Sequence, residues 1–409
     1  RYACGGWMAA HPLDPQYARF GTFDLLAENS REQVKDIITG LGTGHPRGSI
    51  EQKVGDLYAQ GMDSLRRNAE GAAPLAQTIA GQHGRVALAA GGRHCLVGGL
   101  GLGDRDYYLD NDRNTATVRH AYADYIVRLM RLAGYSKGEA KRASTDVMKI
   151  ETELAKVAMT REQTRDYSRL YNIYTVAQVK QSFTGIDWDA YFGALGVTLT
   201  DTDRVCVFQP NSIKKAGELL STLKADALRH YFVFKWADAA ANYLSDDFAN
   251  AHFDMYSRAM SGKKQMQPRW KRALNVPNTL LGEAVGQLYV AKFFPEDAKQ
   301  KMQVLVANLR KALGEHIATL SWMSPATKVN ALVKLNSFTV KIGYPDRWRD
   351  SSAINIDPAL PYWHNVRAAM TANADYEYSQ LGKPVDKERW YMTPQTVNAY
   401  YEPSSNEIC

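Results

Sequence analysis

From Thr115 to about Asp246 apolar side chains recur at helical spacing, with no strand-like alternation to interrupt them. Ala121, Tyr125, Leu129 and Leu132 form one stripe, and Val147, Ile150, Leu154 and Val157 form another. Asp187 stands where a helix N-cap belongs, ahead of Tyr191 and Leu195. From Leu223 to Leu244 the pattern predicts an aromatic-rich core helix carrying Tyr231, Phe232, Phe234, Trp236 and Tyr243. Amphipathic helices in such number have to bury their stripes against one another, so the chain is expected to be mainly α.

The flanks extend this picture. A helix is expected from Phe23 to Ile38 with Gly40 as its stop, and another from Glu51 to about Arg67. Helical spacing returns after Pro277 and again after Pro295, and Ser324-Pro325 reads as a cap followed by a first-turn proline. A further helix is expected around Trp363 to Met370. The first clear strand is Phe338–Ile342, and Arg389 to Tyr401 reads as a terminal strand. Within it, Val397-Asn398-Ala399-Tyr400-Tyr401 runs into Pro403, as an edge strand leaving through a turn does. An edge exposes N–H and C=O groups that a guest peptide can pair with, and the Asn398 amide adds a donor and an acceptor.

At 409 residues, 45% hydrophobic and 23% charged, the chain has the composition of an ordinary globular protein of about two to three domains. Its net charge of +7 spreads over 50 basic and 43 acidic residues, which is too diffuse for a nucleic-acid footprint. No apolar run approaches the roughly 18 to 20 residues of a membrane-spanning helix. The first residue is Arg1, so the chain is expected to begin inside a longer polypeptide or after processing. Cys4, Cys95, Cys206 and Cys409 are too widely spaced for a zinc ribbon or a redox pair. They permit long-range disulfides in an exported protein, and equally serve as free thiols.

No catalytic centre emerges from the residues themselves. None of the nine histidines belongs to a His-Glu-x-x-His, the helical spacing a catalytic zinc needs; Leu320 stands where Glu315-His316 would require the second histidine. No Gly-x-Ser-x-Gly elbow is present. Glycines crowd residues 79–104, but Asp104 occupies the third-glycine position of a dinucleotide loop and no Lys-Ser or Lys-Thr follows, so an irregular loop is expected.

Several blocks, in order along the chain, identify a resemblance. They are Tyr2-Ala3-Cys4-Gly5-Gly6-Trp7, Arg19-Phe20-Gly21-Thr22-Phe23-Asp24, Gly99 to Leu109, Pro268-Arg269-Trp270-Lys271-Arg272, Leu281 to Val290, Ile342 to Asp346, and Asn398-Ala399-Tyr400-Tyr401 with Asn406-Glu407-Ile408. Together they resemble the N-terminal portion of the neprilysin (M13) family of zinc endopeptidases. The resemblance implies an extracytoplasmic enzyme that cleaves oligopeptides on the amino side of bulky apolar residues. It implies a short segment bordering the catalytic lobe (1–35), a helical lobe (36–337), and the start of a thermolysin-like catalytic lobe (338–409).

On that resemblance Asn398 and Ala399 hold the substrate backbone. Arg19 receives the far end of the peptide, including a free C-terminal carboxylate, with Asp24 as its acidic neighbour. A guanidinium suits that role because its planar fork bonds a carboxylate at two points. Cys4 matches a cysteine whose family partner lies in the C-terminal part. Zinc is expected in the full-length parent and none on this chain, whose partner would be the C-terminal catalytic segment of the same polypeptide. The alternative is a complete, non-catalytic helical module that binds peptides or other partners. A His-Glu-x-x-His encoded downstream of Cys409 separates the two.

Overall fold

A computed structural model describes residues 5–42, 44–80 and 100–409. Cys4, Cys95 and nearly all of the glycine-rich stretch 79–98 lie outside the described residues. The chain is mainly α-helical, as its periodicity predicts. Local signals explain many helix starts. The Asp187 carboxylate accepts from Ala190 N–H (2.9 Å), and Ser324 Oγ accepts from Thr327 N–H (3.2 Å).

The helix expected over Glu51–Arg67 is two, Ile50–Met62 and Ser64–Glu70. Asp63 leaves helical geometry between them and caps the second through Arg66 N–H at 2.9 Å. Likewise Leu223–Leu244 resolves into a helix over Ala225–Ala240 and a 3₁₀ turn over Ala241–Tyr243. Pro277 itself lies inside the helix Arg269–Leu280, and the helix expected after it is Gly282–Phe293.

One large core runs through the molecule. Phe234 packs edge-on to Tyr122 and Tyr125, with ring centroids 5.9 and 6.1 Å apart. This joins the helix Ala225–Ala240 to Arg113–Leu132, which also lies along Lys137–Val157. Farther along, Trp363 stacks on Tyr243 and donates its indole N–H to Thr78 Oγ1 at 3.0 Å. Trp363 and Val366 belong to Tyr362–Tyr378, so that helix packs into the same core as the helices before residue 337.

At the centre of the three long helices sits a fully buried carboxylate, Glu151. It accepts from Tyr108 Oη (2.5 Å), Gly101 N–H (3.1 Å) and Tyr122 Oη (3.3 Å), and Lys235 Nζ lies 3.6 Å away. Gly101 lies near the end of the glycine-rich stretch, and its role is close approach: a Cβ there would lie 1.8 Å from Tyr122 Oη.

Strands are few, and two of them stand where only helices were expected. β1 (Ile173–Thr175) and β2 (Arg204–Cys206) pair antiparallel, with Tyr174 opposite Val205. They close a small satellite core of Val179, Phe183, Trp188, Val207 and Ile213. Three-residue strands are too short to leave a period-two signature. A second sheet has the order β3 (Thr339–Val340), β5 (Glu407–Ile408), β4 (Tyr401–Glu402), with β3–β5 parallel and β4–β5 antiparallel. The strand expected over Phe338–Ile342 is thus trimmed to two residues. That expected over Arg389–Tyr401 is corrected to Tyr401–Glu402. Pro394 has no N–H to offer a ladder, and residues 391–399 turn on hydrogen bonds of their own, Thr396 N–H to Thr393 and Asn398 N–H to Thr396.

Two measurements follow. Gly101→Ala forces the fully buried Tyr122 to move and should destabilise by about 1–3 kcal/mol, read as a lower urea midpoint; an unchanged midpoint contradicts the packing. Burial raises the Glu151 pKa above its ordinary value of 4.5, with Lys235 opposing. The folded state therefore holds this proton more tightly than the unfolded one, and the stability it adds is complete below pH 4.5 and lost as pH rises through the raised value. The Tm of the wild type minus that of Glu151→Gln should be larger at pH 5 than at pH 8. An equal difference at both pH values would exclude the linkage.

Candidate substrate-gripping site

Arg19 lies in the segment leading into the helix Thr22–Gly40, with its side chain exposed. Asp24, in that helix's first turn, accepts from Gly21 N–H at 2.8 Å. Its carboxylate thus caps the helix, where an anion also suits the positive end of the helix dipole. Among the described residues Arg19 and Asp24 form no ion pair. Phe23 and Leu26, beside Asp24, are both exposed.

The helix is held from its other faces. Glu28 takes Arg31, Tyr17 Oη and Lys271 Nζ, the last at 2.6 Å. Ser30, one turn and a half beyond Asp24, donates its hydroxyl to the Gln395 carbonyl at 2.7 Å. That bond joins the Arg19–Asp24 helix to the segment carrying Asn398 and Ala399.

Gln395 is buried, and its amide donates to Asn278 Oδ1 (2.8 Å) and to the Gly282 carbonyl (3.0 Å). The segment sits this deep because of two glycines one turn apart in the helix Gly282–Phe293. A Cβ on Gly282 would lie 2.9 Å from Thr393 Cγ2, and one on Gly286 would lie 2.9 Å from Pro394 Cδ. Sequence reasoning did not single out Ser30, Gln395 or the two glycines. The spacing in Leu281-Gly282-Glu283-Ala284-Val285-Gly286 was the available signal, since glycines on one helix face permit close backbone approach.

Beyond Gln395 the chain surfaces. Asn398 and Ala399 are exposed, and the Asn398 side-chain carbonyl accepts from Ala399 N–H at 2.8 Å. Among the described residues the Asn398 amide nitrogen and the Ala399 carbonyl have no partner. Directly afterwards the backbone is locked: Tyr400 and Cys409 exchange both N–H···O bonds at 3.0 Å, ahead of the β4–β5 pairing.

A buried ion pair fixes that ribbon from below. Lys341 Nζ lies 2.5 Å from Glu407 Oε2, with both side chains almost fully buried, and also donates to the Arg389 carbonyl at 2.6 Å. Tyr400 donates its hydroxyl to the other Glu407 oxygen, and burial together with that carboxylate pushes the phenol well above its usual range. Asn398 and Ala399 are therefore an exposed pair of residues between two rigid anchors.

Among the described residues no three His, Cys, Asp or Glu side chains converge where they could hold a metal ion. The described residues therefore do not fit a zinc site. Cys206 is exposed and Cys409 half-buried, both as free thiols. No described helix is long and apolar enough to cross a membrane.

The model of peptidase family M13, in its N-terminal region, matches residues 1–90 and 94–345. Endothelin-converting enzyme 1 of Homo sapiens is 26% identical across the whole chain, which covers 58% of that relative. A neutral endopeptidase of Lactobacillus helveticus is 29% identical over 69% of the chain and 43% of its own length. Among solved structures, the Mycobacterium tuberculosis zinc metalloprotease Zmp1 bound to an inhibitor superposes with a TM-score of 0.88 at 32% identity, over 99% of this chain and 65% of that one. PepO from Lactobacillus rhamnosis shares the fold, with a TM-score of 0.84 at 22% identity. The chain spans about three-fifths of the length of the endothelin-converting enzymes it matches. Matched along most of its length by the family model, and through nearly all of its fold by a zinc metalloprotease, this chain belongs to peptidase family M13.

Proposed function

We propose that the chain is the helical, peptide-gripping part of a zinc-dependent endopeptidase that acts outside the cytoplasm on oligopeptides, cutting before bulky apolar residues. The observation that carries this reading is the exposed Asn398–Ala399 pair, which continues the open edge of β4 with an amide and a carbonyl free to pair with a peptide backbone. Arg19, exposed at the start of the helix that Ser30 ties to the same segment, is suited to a terminal carboxylate. In this reading Asp24 works by holding the helix terminus, and thereby the loop that carries Arg19, rather than by pairing with the arginine.

The zinc ligands would belong to a further segment of the same polypeptide, which would pack on this one. The paired helices Glu296–Thr319 and Pro325–Asn336 favour such a neighbour. They leave Val304, Leu305, Leu309, Leu313, Val329 and Val333 largely exposed, an apolar surface of the kind that marks an interface.

Binding to the chain itself tests the grip, using a fluorescent oligopeptide with a bulky apolar residue and a free C-terminus. Asn398→Ala should weaken binding about tenfold, the worth of a lost hydrogen bond of roughly 1–1.5 kcal/mol. Arg19→Met should weaken the free acid strongly and leave the C-terminal amide little changed. Equal losses for acid and amide would remove Arg19 from carboxylate recognition, and an unaltered Asn398→Ala affinity would remove the edge as the docking surface.

A further inference from the structure

Among the described residues four buried side-chain polar atoms have no hydrogen-bond partner: Gln16 Oε1, Arg269 Nη1, Tyr362 Oη and Gln395 Oε1. The first three line a single cavity of about 240 Å³ within the helical body. Buried polar atoms are ordinarily satisfied, and two of these three, Arg269 Nη1 and Tyr362 Oη, are donors, so they point to an acceptor that fills the volume; Gln16 Oε1 accepts only and is no partner for an anion. A water needs only about 10–15 Å³ of such space, so the volume admits a larger guest.

The charges in the wall are all of one sign. Arg31, Arg67, Lys263, Arg269, Lys271 and Arg272 line the cavity, and no aspartate or glutamate does. The carboxylates that pair with these cations lie outside the lining and are already occupied. Asp246 accepts from Arg269 Nη2 at 2.7 and 2.9 Å and from Asn68, and Glu28 holds Arg31 and Lys271.

Arg67 is almost fully buried and donates only to the backbone carbonyls of Gly61, Asn242 and Leu244, at 2.7–3.1 Å. Arg272 donates to the Gln267 carbonyl at 3.1 Å. Neither meets a carboxylate among the described residues. Burial and the neighbouring guanidinium of Arg269 both lower their pKa values, the signature of like charges held together out of water.

The surroundings are shaped to keep the space open. Gly61 has no side chain where a Cβ would lie 2.9 Å from Tyr362 Oη, so the hydroxyl reaches the cavity. The π-helical turn Phe253–Ala259 contributes Phe253 and Ser257 to the lining. Such wide turns occur often at functional sites.

We propose that this cavity binds a compact oxyanion (a carboxylate, phosphate or sulfate group) received by Arg67, Arg269 and Arg272, with the Tyr362 hydroxyl donating to it. Guanidinium forks match the oxygen spacing of these anions, and each such bond is charge-assisted. The guest supplies acceptors for the Arg269 Nη1 and Tyr362 orphans and offsets the positive excess that the two engaged carboxylates leave. The chemistry allows two sources, a free inorganic anion or the carboxylate of a bound peptide.

Thermal unfolding of the purified chain at fixed ionic strength tests this, with chloride replaced stepwise by sulfate or by inorganic phosphate. A saturable rise in Tm is expected. Tyr362→Phe keeps the ring and removes one donor, and should shift the midpoint of that saturation several-fold to higher anion. Arg272→Gln should shift it by at least tenfold. A parallel titration with a short peptide as free acid and as amide identifies the source. If the free acid alone saturates, the guest is a peptide carboxylate; if the inorganic anion saturates, it is the free ion. A Tm that climbs without saturating for every ligand, or saturates identically in wild type and Tyr362→Phe, overturns the proposal even if Arg272→Gln fails to fold.

Discussion

Glu151 is a carboxyl group carried to a place water does not reach. Burial favours its neutral form and would expel the group were its oxygens left unpaired. It stays because two tyrosine hydroxyls, one glycine N–H and a nearby lysine converge on it from separate parts of the chain. Each of those groups belongs to a different element: the short helix with Tyr108, the helix Arg113–Leu132, the turn at Gly101 and the helix Ala225–Ala240. Sliding any of these by a residue would strand the carboxylate, so the polar centre selects one register for helices whose apolar stripes alone would tolerate several. The aromatic packing of Phe234, Tyr243 and Trp363 builds outward from that register. Through it are placed the helices that hold Gln395 and wall the cationic cavity.

What the sequence disclosed and what it withheld follow a physical division. Amphipathic helices declare themselves over many residues, so the mainly α class and most helix starts were readable from periodicity and capping side chains such as Asp187 and Ser324. β1 and β2 were not, because three residues cannot show a period. The segment from Arg389 to Tyr401 looked like a strand for its aromatics, but pairing depends on a partner supplied from afar. There β5 reaches only Tyr401–Glu402, with one further bonded pair at Tyr400–Cys409. Of the candidate site, Asn398 and Ala399 were visible through a family likeness, and both are exposed. The Asp24 cap was legible in principle as an acid in a first turn. Contacts such as Ser30 with Gln395 had no local mark at all, since each partner alone is an unremarkable polar residue.

The molecule handles buried polarity in two ways. At Glu151 and at Lys341–Glu407 opposite charges and donors are gathered until nearly every lone pair is met. Around Arg67 and Arg272 like charges are gathered instead, and donors such as Arg269 Nη1 and Tyr362 Oη are left unmatched. The first arrangement fixes geometry; the second leaves an affinity standing. Finding both within one helical body separates residues that hold the fold from residues available to a guest.

The hydrogen bond between Ser30 and Gln395 closes a loop of 365 residues. For an unfolded chain, bringing ends so distant together opposes closure by about 5 kcal/mol plus a constant, far more than one hydrogen bond returns. That contact can therefore form only after the intervening helices have assembled and shortened the effective loop. The segment bearing Asn398 is thus a late product of folding: during synthesis it emerges after the helices it has to dock on. A nascent protein would gain its helical body well before it could grip a peptide.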